Sequence, residues 1–322
     1  MTGPAGAGRA SRSTAPAPDA RRSVGGAAAV VVAAAVWGTT GTATHFAPGV
    51  PAFVFGAVTF GLGGLVLAAA AGRGTVLAVA RRATRGWVLL GAASLVVYAV
   101  AFYAALADAG VALGTTVAIG SSPVFAGLVE WVTARRRVTP RWVVATLVSV
   151  VGMVVVTLAR SEGPGADGSL VLGLGSALLA GCTYALYSWA VARGMQAIPE
   201  VRGVRTRAGA RGLVGAVFGL AAVPLVVLAV VGGHEHLGVP AHWPVFLYLA
   251  LVPTVLGHSL YAAGLRSVSA SVATLLSLLE PVVAAVLAVL VVGEHLGVVG
   301  WAGIGLVVVG LAFLGLPGRR VR

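Results

Sequence analysis

Long apolar runs, separated by short polar segments, make up most of this chain. Each run holds about twenty mainly apolar residues, the length that a helix needs to cross the hydrocarbon core of a bilayer. Backbone groups in lipid must pair within the segment, so the runs predict helices rather than open strands. The pattern predicts ten spans, at residues 24–43, 51–70, 87–107, 111–133, 141–159, 169–191, 212–231, 244–264, 268–291 and 298–316.

The composition of the 322-residue chain agrees with this pattern. Hydrophobic residues make up 58% and charged residues 10%, whereas a soluble domain carries about 25% charged residues. A surface so poor in charge must face lipid, so the bilayer is the first partner that we expect. The single cysteine, Cys182, excludes an internal disulfide. The sequence has no Cys/His metal cluster, and we expect neither a metal nor a cofactor.

The distribution of arginine predicts the topology. All 22 basic residues are arginine, and the formal net charge is +13. They form short clusters between the apolar runs and no basic stretch interleaved with aromatic residues, which argues against nucleic-acid binding. With the N-terminus inside, only Arg160 lies in an outer loop, as the positive-inside rule requires. We therefore expect a multi-pass protein of the inner (plasma) membrane with both termini in the cytoplasm.

The second half of the chain repeats the first. At an offset of 158 residues, Tyr103 aligns with Tyr261 and Pro123 with Pro281. Trp37 aligns with Tyr184 at a slightly smaller offset. Each copy holds five spans, and because five is odd, the second copy is expected to enter the membrane inverted. Inverted repeats place a substrate site near the midplane, between the halves.

The charges of the loops agree with this inversion. Asp108, in a predicted outer loop, aligns with Arg266, in a predicted inner loop. The first segment of the chain is rich in Ala, Pro, Ser and Arg, a composition typical of disorder. The predicted organisation is a disordered cytoplasmic tail at 1–23, a five-helix repeat at 24–159, an outer linker at 160–168, a second five-helix repeat at 169–316 and a cytoplasmic tail at 317–322.

Two motifs carry a family resemblance. The first is Trp37-Gly38, and the second is the run Gly257–Leu296, which contains Leu279-Glu280-Pro281 and then Gly293-Glu294. Together they resemble the EamA-type, ten-helix members of the drug/metabolite transporter superfamily. The resemblance implies an exporter of a metabolite or drug, commonly proton-coupled. One departure is Val58-Thr59-Phe60, which stands where the family often carries an arginine, so the role of that arginine is not transferred.

Glu280, near the centre of the ninth span, is the strongest candidate for handling substrate or protons. An ionised side chain at this depth costs at least about 2.5 kcal/mol, so an acid there indicates a cavity or a bound proton. The alternative is a protonated acid that hydrogen-bonds a neighbouring helix. Pro281 lacks an N–H, and we expect it to free the carbonyl of Ser277. Thr274 and Ser277 lie on the same face of the helix.

The first repeat offers Thr116, Ser122 and Pro123 at the aligned positions, and we expect two broken helices that face each other. His258 can titrate near physiological pH, which suggests a proton relay with Glu280. The alternative for this histidine is a packing role.

Aromatic residues are the candidate walls of a cavity, because a ring offers broad apolar contact, and Tyr and Trp add a polar tip. Packing and interface belts are the alternatives. Glu130, about a turn from Arg135, is interpreted as a snorkelling ion pair. The candidate aromatic residues are Trp37, Tyr98, Tyr103, Tyr184, Tyr187 and Tyr261.

These patterns predict an all-α secondary transporter with alternating access, and the family resemblance implies that it exports a small molecule by proton antiport. An importer or facilitator is the first alternative, and a membrane-embedded transferase is the second. Such a transferase generally needs clustered acids with a metal, or a nucleophile with a base, and we expect no enzyme here. The sequence shows no nucleotide-binding loop that could couple ATP to transport. A monomer and a homodimer are both compatible with the pattern.

Overall fold

The protein is almost entirely helical over the residues that its structure, a computed structural model, describes. Residues 1–17 and 317–322 of the predicted tails lie outside the described residues, as does the predicted outer linker at 160–168. The described residues are 18–134, 138–159, 169–198, 200–201, 204–205, 207–293 and 295–315.

The helices follow the apolar runs. They are α1 (Pro18–Gly38), α2 (Thr40–Thr44), α3 (Ala52–Ala71), α4 (Arg73–Ala80), α5 (Arg82–Ala109), α6 (Val111–Ala134), α7 (Pro140–Ala159), α8 (Leu170–Gln196), α9 (Arg207–Leu237), α10 (Trp243–Leu249), α11 (His258–Gly264), α12 (Ala270–Leu276), α13 (Leu279–Leu287) and α14 (Val298–Gly315). A 3₁₀ turn at Pro240–His242 precedes α10, and wider π-type turns at Ala250–Gly257 and Ala288–Val292 continue α10 and α13. A two-residue antiparallel pair, β1 (Glu200–Val201) and β2 (Val204–Arg205), precedes α9.

Nine helical segments of the described chain are long and apolar enough to cross a membrane, and Val298–Leu314 is a slightly shorter apolar helix. Each of the ten predicted runs coincides with one of these segments, so the predicted all-α polytopic fold is confirmed. The ends differ: α1 begins at Pro18, six residues before the first predicted span, and α8 continues to Gln196. The short helix α4 was not predicted, because eight residues are too few for a clear helical periodicity.

The two halves of the chain pack mainly through pairs of helices that take one member from each half. The most extensive contacts join α5 to α8, α3 to α9 and α7 to α14. In the last two pairs, residues at aligned positions meet each other. Phe60 stacks on Phe218, with ring centroids 6.3 Å apart, and the Ser149 hydroxyl donates to the carbonyl of Val307 at 3.5 Å. Contacts between equivalent residues are typical of an approximate two-fold relation.

Glycine allows α7 and α14 to approach backbone to backbone. A Cβ on Gly303 would lie 2.7 Å from the carbonyl oxygen of Gly152, and a Cβ on Gly152 would lie 2.7 Å from that of Gly303. Helices in lipid associate through close packing of small residues rather than through a hydrophobic driving force. This crossing therefore fixes how closely the last helices of the two halves can meet.

Candidate functional site

Two helix interruptions meet beside Glu280. Helix α1 ends at Gly38, one residue before α2, and the ninth span is interrupted between α12 and α13. A Cβ on Gly38 would lie 2.8 Å from the carbonyl oxygen of Glu280 and 2.6 Å from the Cβ of Val283. The contact is therefore one of backbone against backbone, and any side chain at position 38 would push α1 away from the acid.

Glu280 lies in the first turn of α13, and the residue as a whole is partly exposed. Across the described part of the chain its carboxyl group forms no hydrogen bond and no ion pair. The N-terminal turn of a helix favours a carboxylate, because its N–H groups carry partial positive charge. Tyr98 of α5 lies within electrostatic range of this acid. The side chain is thus placed to bind a proton or a ligand from outside the protein.

The expected break at Pro281 is present, but its predicted consequence is wrong. The N–H of Glu280 donates to the carbonyl of Ser277 at 2.9 Å, so this carbonyl is not free. Pro281 has no N–H to donate to the carbonyl of Ser277. A tight turn at Ser277–Leu278 brings the N–H of Glu280 to that carbonyl instead. The helix is interrupted, and no bare carbonyl faces the site from Ser277.

Ser277 and Thr274 lie in the turns before the break, and both are buried. The Ser277 hydroxyl donates to the carbonyl of Ala273 at 3.0 Å, and the Thr274 hydroxyl donates to that of Ala270 at 2.9 Å. Each hydroxyl hydrogen is engaged within its own helix. The oxygen lone pairs remain available to accept a hydrogen bond.

The expected second broken helix is absent, because α6 runs through Pro123 without interruption. Proline removes the N–H that would bond the carbonyl four residues earlier, here that of Ile119. The hydroxyl of Ser122 donates to this carbonyl at 2.8 Å and replaces the missing bond. Glu280 aligns with Ser122, but glutamate has no hydroxyl that could replace the missing bond in the same way. The ninth span is interrupted at this place. The partner of the broken ninth span is therefore α1, not α6.

Thr116, the remaining candidate on α6, contacts the neighbouring helix α7. Its hydroxyl forms a hydrogen bond with the hydroxyl of Thr157 on α7. This bond joins two neighbouring helices of the first half, so Thr116 contributes to packing.

The candidate aromatic residues come together in one ring cluster, in which neighbouring ring centroids are 4.7 to 6.3 Å apart. Six helices from both halves contribute to it. Of its members, the sequence interpretation missed Phe60, Phe102 and Phe218, and the alignment of Phe60 with Phe218 was the signal that could have found two of them. The ring cluster consists of Trp37, Phe60, Tyr98, Phe102, Tyr103, Tyr184, Tyr187, Phe218, His258 and Tyr261.

His258 lies inside the ring cluster and has no hydrogen bond to Glu280. Its ring centroid is 4.7 Å from that of Phe218 and 4.8 Å from that of Trp37, and its Nδ1 lies 3.2 Å from the carbonyl oxygen of Thr254. Helix α1 contacts both residues, with Trp37 against the ring of His258 and the next residue, Gly38, against the backbone carbonyl of Glu280. These surroundings agree with the packing alternative and offer no direct path for a relay.

Three of the aromatic candidates are held firmly by packing or hydrogen bonds. The Nε1 of Trp37 donates to the carbonyl of Pro253 at 2.9 Å. Tyr261 is fully buried and shares a 2.9 Å hydrogen bond with the hydroxyl of Ser188. The ring of Tyr103 lies directly over Gly56 of α3, where a Cβ would collide with it.

Tyr184 differs from the other candidates. Its ring is partly exposed, and its buried hydroxyl has no hydrogen bond of good geometry within the described structure. The nearest polar groups are the hydroxyls of Ser277 and Tyr261. A buried polar group without a partner is costly, so a ligand that supplied one would gain affinity. Among the aromatic candidates, Tyr184 has the clearest capacity to bind a ligand.

A second polar junction between the halves lies near the other end of α12. The carboxylate of Glu130 accepts hydrogen bonds from the backbone N–H of Ser271 at 3.1 Å and from its hydroxyl at 2.7 Å. The Nε1 of Trp142 donates to the carbonyl of Ser271 at 3.0 Å. We call these three residues the clamp. The predicted ion pair of Glu130 with Arg135 stays a prediction, because Arg135 lies outside the described residues.

Comparison with known proteins identifies the family. The model of the EamA-like transporter family matches two consecutive stretches, residues 24–158 and 167–316. The chain belongs to the EamA-like transporter family. The double match confirms that the chain holds two copies of one unit, and the family together with the apolar helices makes it a multi-pass membrane transporter.

Two further similarities agree with the EamA-like assignment. The chain is 32% identical over 294 residues to the "Uncharacterized transporter YwfM" of Bacillus subtilis (strain 168), which covers 90% of this chain and 94% of that protein. A crystal structure is similar in fold, with a TM-score of 0.74 at 24% sequence identity, over 94% of this chain and 99% of that one.

Proposed function

We propose that this EamA-like protein exports a small metabolite or drug across the inner membrane in exchange for protons. The observation that carries the proposal is Glu280, a carboxyl group without a partner in the described structure, at the place where two interrupted helices from opposite halves meet. The acid lies near the middle of the span Ala270–Val292. At that depth it must be protonated or engaged by a ligand, because a bare charge is too costly.

Competition between a proton and the substrate for Glu280 couples proton entry to substrate export. If Glu280 binds either a proton or the substrate, each inward proton releases a substrate and each substrate releases a proton. Tyr184, whose hydroxyl lies beside those of Ser277 and Tyr261 without a hydrogen bond of good geometry, and the partly exposed residues Tyr98 and Phe102 are the proposed contacts for the rest of the substrate. The carboxyl group carries the exchange, and the rings supply apolar contact.

Alternating access follows from the two-fold arrangement of the halves. We propose that the copies are inverted relative to each other and rock about the contacts between equivalent residues, so that the site opens to one side at a time. Both termini are then cytoplasmic, and the clamp lies on the cytoplasmic side. Substrate can enter from the cytoplasm only when the hydrogen bonds that join Ser271 to Glu130 and Trp142 break.

The clamp has no counterpart on the opposite side. Glu130 aligns with Ala288, and Ser271 aligns with Leu113, and neither of these side chains can form a hydrogen bond. In an exact repeat, the state closed to the cytoplasm and the state closed to the outside would have equal energy. Because only one side has a clamp, the two closed states differ in energy. Hydrogen bonds to a charged group contribute about 1.5–3 kcal/mol, and the clamp favours the state that is closed to the cytoplasm.

Glu130→Gln is expected to increase opening toward the cytoplasm. The substitution removes the charge that strengthens both bonds to Ser271, and a loss of about 1 kcal/mol changes a two-state equilibrium about fivefold. Cys182→Ser removes the single native cysteine, and Ala273→Cys then places a thiol in the fully buried inner part of α12. Labelling of this thiol by an impermeant reagent from the cytoplasmic face should accelerate about fivefold.

The matched control is Glu235→Gln, which neutralises an exposed acid away from the clamp and should leave the labelling rate unchanged. Equal labelling rates in the parent, in Glu130→Gln and in Glu130→Ala would contradict a gating role for the clamp.

Transport itself is tested with purified protein in liposomes that contain a pH-sensitive dye. The compounds are a broad panel of metabolites and of cationic or aromatic drugs. We expect at least one of them to accelerate proton movement across the liposome membrane. This acceleration should be absent from liposomes without the protein. Substrate uptake without proton movement would replace antiport by facilitated diffusion. If no compound were moved or bound, the proposed function would be wrong.

A further inference from the structure

The short helix α4 lies between the second and third spans, where the sequence predicted only an inner loop. Its eight residues extend about 12 Å, too short to cross a bilayer. It begins after Gly72, whose φ of +50° allows a sharp turn out of α3. It ends at Ala80, and the next residue, Arg81, has an extended backbone. Helix α4 is therefore a separate element between two membrane-spanning helices.

One face of α4 is fixed against the rest of the protein. Gly74 meets Gly212 of α9 so closely that a Cβ on Gly74 would lie 3.2 Å from the Cα of Gly212. The Thr75 hydroxyl donates to the carbonyl of Ala68 at 2.9 Å, and the Thr84 hydroxyl donates to that of Ala78 at 2.7 Å. These contacts determine which face of the helix is turned outward.

The outward face is apolar in the middle and basic at both ends. Val76 is 69% exposed and Leu77 is 49% exposed. Arg73 lies one turn before them on the same face, and Arg81 lies one turn after them, and both are exposed. Exposed apolar residues on a fixed helix indicate a surface that binds a membrane or another molecule.

The arginines around α4 have no partner within the described protein. Arg73, Arg81, Arg82 and Arg85 are exposed and form no ion pair or hydrogen bond through their side chains. The sequence holds no acidic residue between Asp19 and Asp108.

Three other described arginines are engaged by the protein, whereas Arg266 is exposed like the four beside α4. Arg141 and Arg211 donate to backbone carbonyls, those of Phe313 and Ala70, and Arg193 lies over the ring of Trp87. Among the arginines whose side chains the structure describes, the exposed ones without a partner are thus clustered beside α4, with Arg266 as the exception.

We propose that α4 and its four arginines form a binding surface for anionic phospholipids. The guanidinium groups bind lipid phosphates, and Val76 and Leu77 enter the boundary between headgroups and acyl chains. Amphipathic helices with a basic rim bind membranes in this way, and each basic residue near an anionic surface contributes to the attraction. A soluble phosphate would satisfy the arginines but would leave the apolar strip uncovered, so a lipid is the partner that fits both features.

The test uses the full chain in bilayers, with Cys182→Ser as background and Val76→Cys carrying a fluorescent label. Bilayers contain phosphatidylcholine and a small amount of spin-labelled phosphatidylglycerol or spin-labelled phosphatidylcholine. We expect the label to be quenched by both lipids, and the anionic lipid to be preferred by at least about fivefold, the factor that one arginine near the surface supplies. Replacing all four arginines by glutamine should abolish the preference. Arg266→Gln, at an exposed arginine outside this surface, should preserve it.

Three results would overturn the proposal. Absence of quenching by any lipid would show that α4 does not contact the bilayer. Equal quenching by the two lipids in the parent would remove the role of charge. Loss of the preference on addition of inorganic phosphate, at constant ionic strength set by chloride, would point to a soluble anion instead.

Discussion

Glu280→Gln is expected to abolish substrate-driven proton flux and to leave the fold intact. Glutamine has nearly the same volume as glutamate but cannot bind and release a proton. The native carboxyl group forms no hydrogen bond in the described structure, so the substitution breaks no internal contact. Removal of an acid–base group typically costs about 10²–10⁴-fold in rate, and we expect the initial flux in liposomes to fall by at least about 100-fold.

Two controls make this result specific to Glu280. Glu280→Asp keeps a titratable group and should retain part of the flux, with an altered dependence on pH. Glu235→Gln removes an exposed acid and should retain all of it. Substrate counterflow, which needs no net proton movement, separates loss of coupling from loss of binding. A Glu280→Gln protein that kept the pH dependence of the parent would rule out this acid as the proton carrier.

Gly303→Leu is expected to have the largest effect on folding. Even a Cβ at this position would lie 2.7 Å from the carbonyl oxygen of Gly152 and 2.7 Å from the backbone nitrogen of Val156. Backbone atoms cannot rotate away as a side chain can, so the whole crossing of α7 and α14 would have to open. Overpacking a well-packed site costs about 1–3 kcal/mol and occasionally more, and we expect this case to lie at the upper end.

The measurement is the fraction of monodisperse protein after extraction in mild detergent, together with its thermal unfolding midpoint. Gly305→Leu is the matched control on the same helix, because a Cβ at Gly305 meets no atom within 4 Å. We expect this control to behave like the parent, whereas Gly303→Leu should aggregate or unfold at a clearly lower temperature. Equal stability of the two variants would contradict the close crossing.

The sequence was sufficient to predict the spans and the repeat, because both depend on long apolar patterns. It also identified Glu280, because a single acid within an apolar run is conspicuous. The sequence also predicted a second broken helix at Pro123 of α6, and this prediction was wrong because the hydroxyl of Ser122 keeps α6 continuous. Proline breaks the helix at Pro281, but at Pro123 the side chain of Ser122 supplies the missing hydrogen bond, and this local rescue is not visible in hydropathy.

Contacts between distant parts of the chain were also hidden. Glu130 and Ser271 are 141 positions apart, and nothing near Glu130 in the sequence points to a backbone N–H in the other half. Local spacing points instead to the nearby Arg135, which lies outside the described residues. The ring cluster was found only in part, since phenylalanine in an apolar span looks the same whether it faces lipid or a neighbouring ring.

The one-sided clamp has a consequence for the working cycle of this transporter. A bias of about 1.5–3 kcal/mol corresponds to roughly a tenfold to hundredfold excess of one state over the other. In the proposed cycle, the idle carrier would therefore face the outer side of the membrane, where protons are abundant in a respiring cell. Protonation would then be the event that begins each turnover, and leakage of metabolites through an idle carrier would stay low.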